Sequence, residues 1–207
     1  MSRPSGRKNE DHEQTRHHLV QRAAVHLTSL GGADASFREL ADRCGVSSST
    51  LRHYFSTREQ LVEEVFALLG RQGDPYHLEI ATRVPRDVET SLRAFLAMLL
   101  EGWSAGVGAI HAFGLRAGTG DARVGPLYVE RILEPTLQSF EARLARHVAD
   151  GTFPRCDLRA AGLSFLSPVL LALLHQDSLS GRTCRPLDLE DFVDQHVKRW
   201  LRGWGHA

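Results

Sequence analysis

An all-α fold is what this sequence predicts, on three observations. Apolar residues recur three and four positions apart through most of the chain, and no segment alternates apolar with polar residues as a half-buried strand does. A Ser, Thr or Asp able to cap a helix precedes one periodic stretch after another. With 207 residues, 42% of them hydrophobic, the chain can also bury a core.

Residues 1–14 read as a flexible polar arm, since Pro4, Gly6 and mixed charges offer no apolar stripe. Leu19, Ala23, Leu27 and Leu30 then mark a first helix, stopped by Gly31-Gly32. Ser36-Phe37-Arg38-Glu39 has the form of a capping box and opens a second helix, and Ser56-Thr57-Arg58-Glu59 repeats the device before Leu61, Val62, Val65, Phe66, Leu68 and Leu69. Between them there is room for a turn and one short helix. The fourth helix is expected from Thr57 to about Gln72, where Gly73-Asp74-Pro75 ends it.

After Pro85, the positions Val88, Leu92, Phe95, Leu96, Leu99 and Trp103 mark a helix broken near Gly102 to Gly108. A shorter one is expected around Ile110 to Leu115, and then a long segment to Val148 in which Pro135 forces a kink or a boundary. Asp157 caps a helix apolar over most of its circumference, and Asp188 caps a last one carrying Leu189, Phe192, Val193, Val197, Trp200, Leu201 and Trp204. The expected division is 1–14, 15–72 and 73–207.

Composition excludes several classes. No run reaches the roughly 18 to 20 unbroken apolar residues of a membrane helix, Leu163–Leu174 being interrupted by Ser164, Ser167 and Pro168, so no membrane association is expected. The polar start lacks the apolar block of a secretory signal, and a cytoplasmic protein is expected. Cys44, Cys156 and Cys184 lie far apart without a Cys-x-x-Cys pair, which suggests reduced thiols rather than disulfides or zinc. The eleven histidines show no metal-ligand spacing, and there is no nucleophile elbow, phosphate loop or dinucleotide fingerprint. No enzyme activity, cofactor or metal is therefore expected. The 25 basic and 25 acidic residues cancel overall, but residues 1–58 hold nine Lys plus Arg against six Asp plus Glu. The first segment is thus the one suited to phosphate.

Phe37 to Leu61, FRELADRCGVSSSTLRHYFSTREQL, carries the function. Leu40, Ala41 and Cys44 turn one helix face inward, Gly45 permits a sharp turn, Val46 and Leu51 fill the angle, and Ser47 caps the next helix. Ser48, Ser49, Thr50, Arg52 and His53 are left for the outward side of a short helix, the part a helix-turn-helix places in the major groove. Arg38 and Arg58 stand near flanking helix starts, where each can meet a phosphate or, for Arg38, a guanine edge.

Gly45-Val46-Ser47, Thr50-Leu51, His53-Tyr54-Phe55, Ser56-Thr57-Arg58-Glu59 and Leu61 resemble the signature of the TetR family of bacterial transcriptional regulators over about residues 15–62. The resemblance implies a homodimer with an N-terminal three-helix helix-turn-helix domain that binds a palindromic double-stranded DNA operator. It also implies a C-terminal helical domain that dimerises and binds a small-molecule effector, which releases the repressor. It assigns Ser47 to Thr50 and His53 to bases and phosphates, Tyr54 to support of the groove-facing helix or to the DNA backbone, and Arg58 to a phosphate. Two positions depart from the family pattern: Ser49 stands where glycine is usual, and Arg52 where a phosphate-contacting tyrosine is usual. Arginine at that place still binds phosphate by charge.

The apolar excess of the last two helices, about 157–177 and 188–204, suits a four-helix interface between two copies. For the effector the sequence offers Phe95, Trp103, His111, Phe113, Arg116 and His175, aromatic or polar positions on the central helices. The competing classes are an enzyme, against which the missing motifs speak, and an interaction protein with a helix-turn-helix shape but no specific DNA.

Overall fold

The computed structural model describes residues 5–204, in which there are helices and no strands. In order they are α1 (Ser5–Leu27), α2 (Phe37–Cys44), α3 (Ser48–Tyr54), α4 (Arg58–Thr82), α5 (Val88–Gly102), α6 (Gly108–Gly120), α7 (Val124–Tyr128), α8 (Glu134–Ala149), α9 (Leu158–Leu173), α10 (Gly181–Cys184) and α11 (Leu189–Trp204). Single π-turns, Trp103–Val107, Val129–Leu133 and Leu174–Ser178, follow α5, α7 and α9.

The chain divides into two compact units. Unit 1 takes the residues up to Gln72 together with Phe113–Ile132; unit 2 takes Gly73–Ala112 and the residues from Leu133 on. Unit 1 therefore includes a stretch of the central chain that sequence reasoning gives to the C-terminal domain.

Three differences from expectation have physical causes. α1 begins at Ser5, well inside the expected arm, of which residues 1–4 lie outside the described residues. The polar side chains Glu10, Glu13, Gln14 and Arg16 are good helix formers, so the helix continues without an apolar stripe. Leu30 falls in the turn beyond α1 and is fully exposed, whereas Leu19, Ala23 and Leu27 are buried. α4 does not stop at Gly73-Asp74-Pro75 but runs to Thr82 with Pro75 inside it. Pro75 costs the helix the bond its missing N–H would give to the Arg71 carbonyl and crowds that carbonyl with its ring, a local cost that the rest of α4 absorbs.

The cap of α4 is also displaced by one residue. Thr57 Oγ1 accepts from Gln60 N at 3.2 Å, and Gln60 Oε1 accepts from Ser56 N at 2.8 Å. At α2 the expected box is present: Glu39 N donates to Ser36 Oγ at 3.3 Å and Ser36 N to Glu39 Oε2 at 2.7 Å. Asp157 accepts from the backbone of Arg159 and Ala160, and Asp188 from that of Asp191.

Unit 2 closes around aromatic rings. Phe140 stacks on Phe165 with centroids 4.8 Å apart, and Phe153 on Trp200 at 5.4 Å, among Leu92, Phe95, Leu96, Leu144 and Val169. Trp200 Nε1 donates to Ser164 Oγ at 3.0 Å, giving the buried indole its partner. On α9, Leu163 and Leu171 are exposed while Phe165 and Val169 are buried, so this helix presents an outer apolar face as well.

By length and mean hydropathy alone, 1.2 and 1.5, two helical stretches, Val88–Gly120 and Leu158–Ser178, could cross a membrane, although neither is an unbroken apolar run. The first stretch joins α5 and α6 across a kink at Gly106, φ 122°, so the expected break between Gly102 and Gly108 is present, and the second adds the π-turn after α9. Length and composition are the whole of that signal; Leu92, Phe95, Leu96, Phe165 and Val169 within these stretches are core residues of unit 2.

Candidate nucleic-acid interface and ligand cavity

The turn between α2 and α3 is set by Gly45, at φ 72° and ψ 29°, whose N–H reaches the Ala41 and Asp42 carbonyls. This left-handed conformation is easy for glycine and strained for residues with a Cβ. Leu40, Ala41, Cys44 and Leu51 are buried behind it, so α3 is held by its inner side alone. Ser47 Oγ accepts from Thr50 N at 3.0 Å and lies 2.8 Å from both Ser49 Oγ and Thr50 Oγ1.

The outer side of α3 is open. Ser47, Ser49, Thr50, Arg52 and His53 are exposed and Ser48 and Tyr54 half-buried, with Arg38 exposed on the first turn of α2. The Arg52 guanidinium stands over the Phe37 ring, 5.4 Å from its centroid, which restrains the stem while leaving the cation in solvent. Tyr54 packs its ring 4.7 Å from that of His12 on α1, and His53 edges both rings. His12 is an addition that sequence reasoning missed, because it was placed in the arm.

Arg58 has other work. Its Nε donates to the Ala35 carbonyl at 2.8 Å and its Nη2 to that of Ala33 at 2.6 Å, so most of its fork ties α4 to the turn before α2. The phosphate role implied by resemblance would fall to the remaining Nη1.

The six effector candidates fall in both units, and one of them, Trp103, lines a cavity of about 350 Å³ with Ala109 and Asp177. Phe95 is fully buried in the unit 2 core, 4.7 Å from the Phe140 ring. Phe113 belongs to unit 1 and stacks on Phe66 at 5.0 Å; Arg116, also in unit 1, is exposed and ion-paired with Asp34. In unit 2, Trp103 stacks on His111 at 5.4 Å and donates through Nε1 to Asp177 Oδ2 at 2.7 Å. His175 lies in the π-turn after α9 with Nδ1 2.7 Å from Gln176 Nε2.

A larger cavity, of about 560 Å³, is lined by Tyr76, Glu79 and Arg83 of α4, Pro85, Ala94, Met98 and Glu101, and Arg143 of α8. All of these are unit 2 residues. Burial, aided by the nearby Glu101 and Glu79 carboxylates, pushes the Tyr76 phenol up to about 12, so it remains a neutral donor. Among the described residues no group of three or more His, Cys, Asp or Glu is placed to hold a metal ion.

Burial also pushes the His111 imidazole down to about 4. The unfolded chain titrates near 6.5, so between these values it binds more protons than the folded chain, and stability rises with pH. The contribution of neutral His111 is present above about pH 6.5 and is lost as pH falls toward 4, a loss of about 3 kcal/mol. His77, His147 and His196 are lowered by burial too and act in the same direction. Urea unfolding is expected to show this loss between about pH 6.5 and 4. A His111→Gln variant with an undiminished pH dependence would remove His111 from that account.

Comparison with known proteins places this geometry. Residues 21–65 match the family described as bacterial regulatory proteins, tetR family. The HTH-type transcriptional repressor KstR2 of Mycolicibacterium smegmatis is 36% identical over 64 residues, 31% of this chain and 27% of that protein. The HTH-type transcriptional regulator PksA of Bacillus subtilis is 30% identical over 92 residues, 44% of this chain and 45% of that protein. The match thus spans less than half the length of either relative. A crystal structure of a Mesorhizobium loti protein assigned to the tetR family superposes with a TM-score of 0.72 over 93% of this chain and 97% of that one. At 18% identity that likeness shows the shared fold.

Proposed function

We propose, from the premise that the chain belongs to the tetR family of bacterial regulatory proteins, that it is a homodimeric, cytoplasmic repressor released from a palindromic DNA operator by a small molecule. The observation that carries this is the open, hydroxyl-rich side of α3, within the segment that matches the family. Small hydroxyl side chains permit close approach to base edges, and Arg38 and Arg52 supply charge at either side. In this reading Ser47 to Thr50 and His53 meet bases and phosphates, and Tyr54, braced by His12, supports them. The relative named as a repressor supports repression.

The exposed Leu163 and Leu171 of α9, beside half-buried Leu166 and Leu170 and the half-buried Phe192, Leu201 and Trp204 of α11, which also pack on the unit 2 core, support dimerisation through these two helices. An apolar face of this kind is costly in water and is covered well by its own symmetry mate. Control by an effector requires that it prefer a conformation with wrongly spaced reading heads. α4 suits such control, since one continuous helix carries both Arg58 at its start and cavity-lining Tyr76 and Glu79 near its end.

Selection of bound duplexes from a random library, followed by competition against nonspecific DNA at fixed salt, tests the reading. A palindromic enriched site is the expected result; no enrichment would favour an interaction protein that merely keeps the shape. Arg52→Ala is expected to weaken binding and to lower the slope of log affinity against log salt by about one. An unchanged slope would take Arg52 out of the phosphate contacts.

A further inference from the structure

Arg143 is the unusual group in the larger unit 2 cavity. It is 1% exposed, its Nε donates to Ser91 Oγ at 2.9 Å, and its Nη1 donates to the Ile80 carbonyl at 2.5 Å. Among the described residues its Nη2 has no hydrogen-bond partner, and no carboxylate lies within ion-pair distance. A buried cation without a counter-ion is costly, and neutral carbonyls repay only part of that cost. The Tyr76 hydroxyl, lining the same cavity, is buried and also without a partner. Two residues that each keep a donor unused by the protein therefore line one space.

The remaining lining limits what can enter. Pro85, Ala94 and Met98 supply an apolar wall. Glu79 is occupied by Arg83 at 3.0 Å, and Glu101 is exposed. Arg143 is the lining cation that is both buried and unpaired, so it neutralises one negative charge. A second charge on the ligand would face Glu79 and Glu101, and an amine would face Arg143 itself.

We propose that this cavity binds an amphipathic organic monocarboxylate, whose carboxylate accepts from Arg143 and Tyr76 while its apolar body lies along Met98, Ala94 and Pro85. The site stands on its own chemistry; its role as the effector site rests on the regulator reading above. Charge-assisted donation from Arg143 fixes the acid end, and the Tyr76 hydroxyl adds a neutral donor that aligns it.

The test is calorimetric titration of the full chain with octanoate and 1-naphthoate, each against its amide, and with octylamine. Both acids are expected to bind at least about tenfold more tightly than their amides, with octylamine not binding. Arg143→Met should abolish this preference, and Tyr76→Phe should weaken acid binding by about three- to tenfold. If Arg143→Met does not fold, Tyr76→Phe carries the test, because it deletes only an unpartnered hydroxyl. Acids that bind no better than the amides, no acid binding at millimolar concentration, or acid binding untouched by Tyr76→Phe and Arg143→Met would each overturn the assignment. A duplex-binding assay at saturating acid separates the two claims. Release of DNA supports both, while bound acid with unchanged DNA affinity supports the cavity chemistry and overturns its role as effector control.

Discussion

Leu51→Ala is expected to cost about 2–5 kcal/mol and to abolish specific DNA binding at concentrations where the unsubstituted chain is saturated. Leu51 is completely buried, and α3 has no other fully buried residue to hold it against α2. Truncation leaves a cavity in the angle of the two helices, and a seven-residue helix has little stability of its own with which to resist. Leu51→Met, which keeps the volume, should cost less than about 1.5 kcal/mol and retain binding. Chemical unfolding followed by duplex titration reads both quantities. A Leu51→Ala variant within about 0.5 kcal/mol of the parent would mean that α3 is positioned by something other than this side chain.

Gly114→Ala should be nearly as damaging, although it adds a single methyl. A Cβ at this place would lie 2.1 Å from Tyr128 Cδ2, and Tyr128 is buried with Phe66 and Phe113 close by. The ring cannot leave without opening that cluster, so a cost of about 1–3 kcal/mol or more is expected. Adding Tyr128→Leu should restore part of the loss, because the smaller side chain clears the methyl. Thermal unfolding of the single and double variants gives the coupling directly. A double variant that is merely the sum of the two defects would show that the contact is not the cause.

The parts of this molecule that were legible in its sequence are those written locally. The Ser36–Glu39 box, the glycine at the left-handed turn and the Ser47 cap each lie within a few residues of what they organise, and all three are present. The path of α4 was harder to read, because Pro75 looks like a stop and the loss of one hydrogen bond was overcome by the rest of the helix. Arg58 and Arg116 illustrate a further limit. Their partners are the Ala33 and Ala35 carbonyls and Asp34, 23 to 82 residues away, and no local pattern names them.

Arg143 did leave a trace. It stands on the same stripe of α8 as Phe140, Leu144 and His147, a lone full charge on an inward face. Such a position demands either a counter-ion or a purpose. Phe95 and Phe113, by contrast, have the spacing of either a cavity wall or a packed interior, and sequence periodicity is the same for both.

Unit 1 is discontinuous along the chain: α4 leaves it at residue 72, and α6 brings residue 113 back into it. Of the three crossings between the units, those two fall inside helices and the third, after Ile132, inside the π-turn Val129–Leu133. A fragment ending near residue 72 would forfeit Phe113 and Tyr128, the ring partners of Phe66, and would leave that aromatic face wet. No single scission can therefore excise unit 1 intact, and a transplant of its helix-turn-helix segment must carry Phe113–Ile132 along.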